Sequence, residues 1–242
     1  MKTIRLIISV MSLVALLGCQ APKSTETEVS IMFDITGSSG NDKMDITTQD
    51  VYEIFDLADN PFNFGQFRAS TLTETHLSKI YQTKLLPVVS IGDYNKFSRE
   101  NHIRLFLKDI DSLLFTVKNA GNGKKASSLF IPISKELHRL ANSKANKKVL
   151  LCFTDLFENS SSMFSVYPSN NLAIDMENLD KLTELLSKKA PIPDNLRNIE
   201  IYLIYNPDLN TDRSFLMLSQ WYKALLESKG AIVHISANFI LD

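Results

Sequence analysis

From residue 29 to the C-terminus, short β-branched and apolar runs alternate with stretches of helical periodicity. This alternation limits the fold more than any other feature of the chain. Residues 29–35, 148–154, 199–205 and 231–235 read as strands, and residues 45–58, 94–117, 129–142, 172–187 and 213–228 as helices. In the second helix Ile103, Phe106, Leu107, Ile110, Leu113, Leu114 and Val117 recur on one face. Pro132 falls in the first turn of the third, where it is tolerated, and Pro191 and Pro193 stop the fourth. The run Val149-Leu150-Leu151-Cys152-Phe153 has no polar alternate, as expected of a strand covered on both faces. Residues 66–73 and 79–89 read as a hairpin whose second strand, carrying Pro87, belongs at a sheet edge. The chain is therefore expected to be α/β: a doubly wound, mostly parallel, Rossmann-like sheet with helices on both faces and one antiparallel edge strand.

The first eighteen residues stand apart. Lys2 and Arg5 precede an uninterrupted run of apolar and small residues from Leu6 to Leu17. That run is shorter than the roughly 20 residues a spanning helix needs, and it reads as the apolar region of an export signal. It ends Leu16-Leu17-Gly18-Cys19, which resembles the lipobox of bacterial lipoproteins, with a bulkier residue than usual at Leu17. The resemblance implies cleavage after Gly18, a lipid on Cys19 and a cell-envelope location, periplasmic or at the surface, with the anchor holding the chain to a membrane. Residues 20–28 are polar and read as a tether. The expected division is thus a signal at 1–18, a lipidated tether at 19–28 and one domain at 29–242.

Composition limits the partners. Lys plus Arg is 26 against 27 for Asp plus Glu, without the basic excess of a nucleic-acid binder. At 44% hydrophobic and 22% charged the chain is ordinary for a globular protein, and its length supports a core without disulfides. With Cys19 acylated, Cys152 has no partner, and its place in an apolar run makes it a small buried hydrophobe.

Ligands of open α/β sheets bind beyond the carboxyl ends of the strands, so the residues that follow each strand carry the chemistry. After the first strand comes Asp34-Ile35-Thr36-Gly37-Ser38, and after the 148–154 strand's apolar core comes Thr154-Asp155. The first resembles the Asp-x-Ser/Thr-x-Ser signature of von Willebrand factor A domains, and the second the Thr-Asp that ends that family's fourth strand. The likeness in element order spans nearly the whole chain after the tether. It implies a metal-ion-dependent adhesion site with Asp34, Thr36, Ser38 and Asp155 as ligands. The family's remaining threonine falls at Ser127, with Ser128 as the alternative. Leu156 stands where the family has glycine.

The residue types suit a hard divalent cation, Mg²⁺ first and Mn²⁺ or Ca²⁺ next, because all the donors are oxygens. With three hydroxyls and only two carboxylates, the metal keeps enough positive charge to accept an acidic side chain from a protein partner. The resemblance thus implies a binding module rather than an enzyme. The alternative is a structural subunit of an envelope complex with a degenerate metal site. A haloacid-dehalogenase-like phosphohydrolase, whose motif also reads Asp-x-Thr-Gly, carries Lys where Ile35 stands and would need a Lys and further acids downstream. An aspartic protease has Asp directly before Thr, where Ile35 intervenes here, and would need a second such element, which is lacking. The four histidines have no metal-pair spacing, and Gly121-x-Gly123 lacks the third glycine of a nucleotide loop. Trp221 and Tyr222, with Leu218 and Leu225, form a helix stripe suited to core packing.

Overall fold

Backbone groups in apolar runs must find their hydrogen-bond partners within the protein, and here they find them in one six-stranded sheet. The computed structural model describes residues 23–35, 46–73, 79–88, 95–120, 128–160, 165, 179–205 and 212–241. The strands are β1 (Glu26–Asp34), β2 (Phe64–Leu72), β3 (Ile80–Leu85), β4 (Lys147–Phe153), β5 (Ile199–Ile204) and β6 (Ile232–Ser236). The helices are α1 (Thr48–Ile54), α2 (Lys96–Lys118), α3 (Phe130–Asn142), α4 (Asp180–Lys189) and α5 (Asp212–Ser228). Strand order is β3-β2-β1-β4-β5-β6. Only β3 runs antiparallel, at the edge beside β2. The expected α/β class, parallel centre and antiparallel edge strand are all present.

Helices cover both faces. Met32, Leu150, Cys152 and Leu203 pack with Phe130, Ile133 and Leu137 of α3, Leu182 and Leu186 of α4, and Leu218 and Tyr222 of α5. On the opposite face Val29, Ile31, Phe33, Val149, Leu151 and Phe153 pack with Val51 and Ile54 of α1 and Ile103, Phe106 and Ile110 of α2. Both faces of β4 are thus core, which is why its sequence carries no polar alternation.

Boundaries differ from the expectation at several elements, and β3 stops at Leu85 rather than at residue 89. β1 begins at Glu26, inside the stretch expected to be tether, and pairs with β2 and β4 from Glu26↔Phe64 and Thr27↔Lys147 onward. Its polar start is buried or paired within the fold. Thr27 is fully buried, and Glu28 accepts from Ser143 Oγ at 2.7 Å and pairs with Arg139. The pairing also depends on Gly65 of β2, where φ is +150° and an added Cβ would lie 1.8 Å from the Thr27 carbonyl oxygen. α1 is shorter than expected. A capping box between Thr47 and Asp50 starts it, and the chain turns left-handed at Asp56 (φ +51°) just after its C-cap, Phe55. The fourth expected helix is described only from Asp180. Cys19 and the signal-like segment lie outside the described residues. No helix among the described residues is long and apolar enough to cross a membrane.

Candidate functional site

The order of the sheet reverses between β1 and β4: β2 and β3 lie to one side, β5 and β6 to the other. Loops leave such a pair of strands in opposite directions, opening a crevice beyond their carboxyl ends. Asp34 is the last residue of β1 and Thr154-Asp155 directly follows β4. The register Phe33↔Phe153 brings Asp34 beside Thr154. Thr154 Oγ1 donates to Asp34 Oδ2 at 3.0 Å and accepts the Leu156 amide at 3.0 Å. Asp155 Oδ1 accepts the Phe157 amide at 2.8 Å, which tightens its own turn. Both carboxylates are buried, at 1% and 4% exposure.

Leu156 has φ +63°, the left-handed backbone that glycine adopts freely and that costs a β-carbon residue about 1–2 kcal/mol. Its side chain is buried in the core formed with α3, α4 and α5, and that burial offsets the strain. A leucine after Thr154-Asp155 therefore does not prevent a left-handed turn there.

A third segment closes on the same rim. Ile35 donates to the Leu72 carbonyl at 3.4 Å, and Ser128 to the Thr73 carbonyl at 2.9 Å. Ser128 is therefore fixed beside the carboxyl end of β2, fully buried, just before α3. Of the expected ligands, Asp34 and Asp155 stand at the carboxyl ends of adjacent strands. Thr36, Ser38 and Ser127 lie outside the described residues, and Ser128, the alternative hydroxyl, is located at the rim. Among the described residues no group of three His, Cys, Asp or Glu side chains is arranged to hold a metal. The donors at this rim are carboxylate and hydroxyl oxygens, a set whose chemistry fits a hard cation. Cys152 is buried in the sheet, and burial, with a smaller contribution from Glu136, pushes its thiol up to about 12, so it acts as an apolar side chain.

One residue of the site was missed in the sequence. Glu158 is fully buried, and its Oε2 accepts the amides of Leu129 at 2.7 Å and Phe130 at 3.0 Å. The N-cap of α3 is Leu129, which offers no side-chain oxygen, so a carboxylate from the β4 loop caps the helix. Burial pushes the Glu158 carboxyl up to about 7, and the charge of Asp34 adds to this. The two amides and the Ser160 hydroxyl act in the other direction. Its Oε1 has no hydrogen-bond partner among the described residues. The only sequence signal is a glutamate three residues past Asp155, inside what reads as a polar loop.

No family model matches the chain, and no curated protein matches it. Solved structures do. An aspartate-to-alanine mutant of the PilB minor pilin from Streptococcus sanguinis is 14% identical with a TM-score of 0.45, covering 91% of this chain and 59% of that one. The unmutated PilB minor pilin from Streptococcus sanguinis is 13% identical with a TM-score of 0.42, covering 90% of this chain and 59% of that one. A human COPII-coat protein is 12% identical with a TM-score of 0.37, covering 91% and 31%. The chain thus spans less than two thirds of the pilin structures it resembles.

Proposed function

We propose that this protein is a membrane-tethered lipoprotein of von Willebrand factor A type that binds a protein partner through a divalent cation. Asp34, Thr36, Ser38, Asp155 and Ser127, or Ser128 in its stead, would hold the ion, and Cys19 would carry the lipid. The observation that carries the reading is that Asp34 and Asp155, singled out by motif, are buried at the carboxyl ends of the two strands between which the sheet order reverses. When bound, Mg²⁺ would supply an electrophilic coordination position for a partner's Asp or Glu. Thr154 would orient Asp34 through its hydroxyl, and the Phe157 amide would orient Asp155. No step of covalent chemistry is required, and the protein acts as a binding module rather than an enzyme.

The test is capture from envelope extracts on the immobilised full chain, with Mg²⁺ or with chelator, beside Asp34→Ala. Proteins retained with Mg²⁺ and lost both on chelation and in Asp34→Ala are expected. The same retention in all three conditions would contradict cation-mediated binding and favour a structural subunit. Labelling with a radioactive fatty acid, lost in Cys19→Ala, tests the anchor separately.

A further inference from the structure

The loop after β4 and the start of α3 belong to different crossovers, and a cation held between them would need their separation fixed. The β4 loop is closed on itself by the bonds of Thr154 and Asp155 and by the Glu158 amide donating to the Leu156 carbonyl at 3.1 Å. From this closed loop the Glu158 carboxylate reaches across 28 and 29 sequence positions to the amides of Phe130 and Leu129. On the far side, Ser128 is fastened to Thr73 at the end of β2. The links form a chain around the rim: β4 loop, Glu158, start of α3, β2.

Resting on the cation centre proposed above, we infer that Glu158 is a positioning residue for that centre, tying the loop that carries Asp155 to the segment from which α3 supplies a hydroxyl. The fully buried carboxylate accepts the amides of Leu129 and Phe130, which are themselves buried. An acid is costly in such surroundings, and a local Ser or Asp at the N-cap would cap the helix without it. Its Oε1 has no hydrogen-bond partner among the described residues, and its Oε2 accepts the two α3 amides. Glu158 is not itself assigned as a ligand, because its Oε2 is taken up by the Leu129 and Phe130 amides. Outer residues of this kind set metal affinity by orienting the ligands they support, and losing one typically weakens binding about 10–100-fold.

The experiment titrates the chelated full chain in detergent with Mn²⁺, counting free ion by electron paramagnetic resonance, with circular dichroism melts of each variant. Wild type should bind Mn²⁺ and Asp34→Ala should not. Glu158→Ala should fold yet bind at least about tenfold more weakly. Glu158→Gln, whose amide oxygen can still accept both N–H groups, should stay close to wild type. If Glu158→Ala does not fold, Glu158→Asp serves, since it keeps the charge but withdraws the oxygens by one carbon, and it should bind weakly. Wild-type affinity in Glu158→Ala or Glu158→Asp would overturn the positioning role while leaving the cation centre standing. Glu158→Gln as weak as Glu158→Ala would also overturn it, because charge rather than the tie would then govern affinity. A wild type that does not bind Mn²⁺ would remove the centre itself, and the inference with it.

Discussion

α3 meets the sheet through acids on both sides of its length, half-buried toward its C-terminus and fully buried at its start, and the two are handled in different ways. Toward the C-terminus, Glu136 and Glu28 are balanced by arginine. Arg139 Nε lies 2.7 Å from Glu136, Arg139 pairs with Glu28, and Arg68 Nε lies 3.4 Å from Glu136. Ser30 completes the cluster, donating to Glu136 and accepting from Arg139 Nη2 at 2.9 Å. Burial alone would lower the ionisation of Arg139, but Glu136 and Glu28 outweigh it and hold the guanidinium above its ordinary value. At the N-terminus Glu158 has amide and hydroxyl partners and forms no ion pair among the described residues. One end is a cluster of opposite charges that needs nothing further. The other holds its acid through amides and a hydroxyl alone.

The largest effect should come from breaking the amide-held end. Glu158→Ala leaves two buried amides without their acceptor, each worth about 1–3 kcal/mol, and should destabilise the chain by about 3–4 kcal/mol at pH 5.5 by denaturant melting. Breaking the arginine-held end comes next. Arg139→Ala strips half-buried Glu28 and Glu136 of a shared partner and should cost about 2–3 kcal/mol, with little change between pH 5 and 8.

The contrast is sharpest in pH dependence. With the Glu158 carboxyl raised to about 7 from an ordinary 4.5, the folded state favours the protonated form. The stability it contributes is complete below about pH 4.5 and is lost as pH rises through 7. In chelator, Glu158→Gln should therefore match wild type near pH 5 and exceed it by about 2–3 kcal/mol at pH 8. An equal difference at both pH values would mean that the buried acid does not titrate as described.

The smallest effect is expected at Leu156. Glycine there relieves about 1–2 kcal/mol of left-handed strain but removes a buried side chain worth about 2–5 kcal/mol. Leu156→Gly should thus lose about 1–3 kcal/mol on balance. A gain in stability would show that the strain outweighs the packing.

The sheet was legible because the apolar runs of β4 and β5 and the helical stripe of α2 are local patterns, each complete within one element. The places of Asp34 and Asp155 at strand ends were legible for the same reason, since Asp34 and Thr154-Asp155 each follow an apolar run directly. The start of β1 was not, because Glu26, Thr27 and Glu28 look solvated in sequence, and Thr27 and Glu28 are buried or paired only by Arg139, Ser143 and β2. Glu158 was hidden similarly. Its partners are backbone amides from another crossover, and no residue type in its neighbourhood announces them.

The measurement that bears most directly on a cation centre is a thermal melt of the chelator-treated full chain, with and without millimolar Mg²⁺ or Mn²⁺, beside Asp34→Ala. An ion bound only by the folded state at a hundredfold excess over its dissociation constant adds about 2.7 kcal/mol. The melting temperature of wild type should rise with the metal, and that of Asp34→Ala should not. Identical melting of wild type with and without metal, or an equal rise in Asp34→Ala, would contradict a cation centre at the β1–β4 crevice.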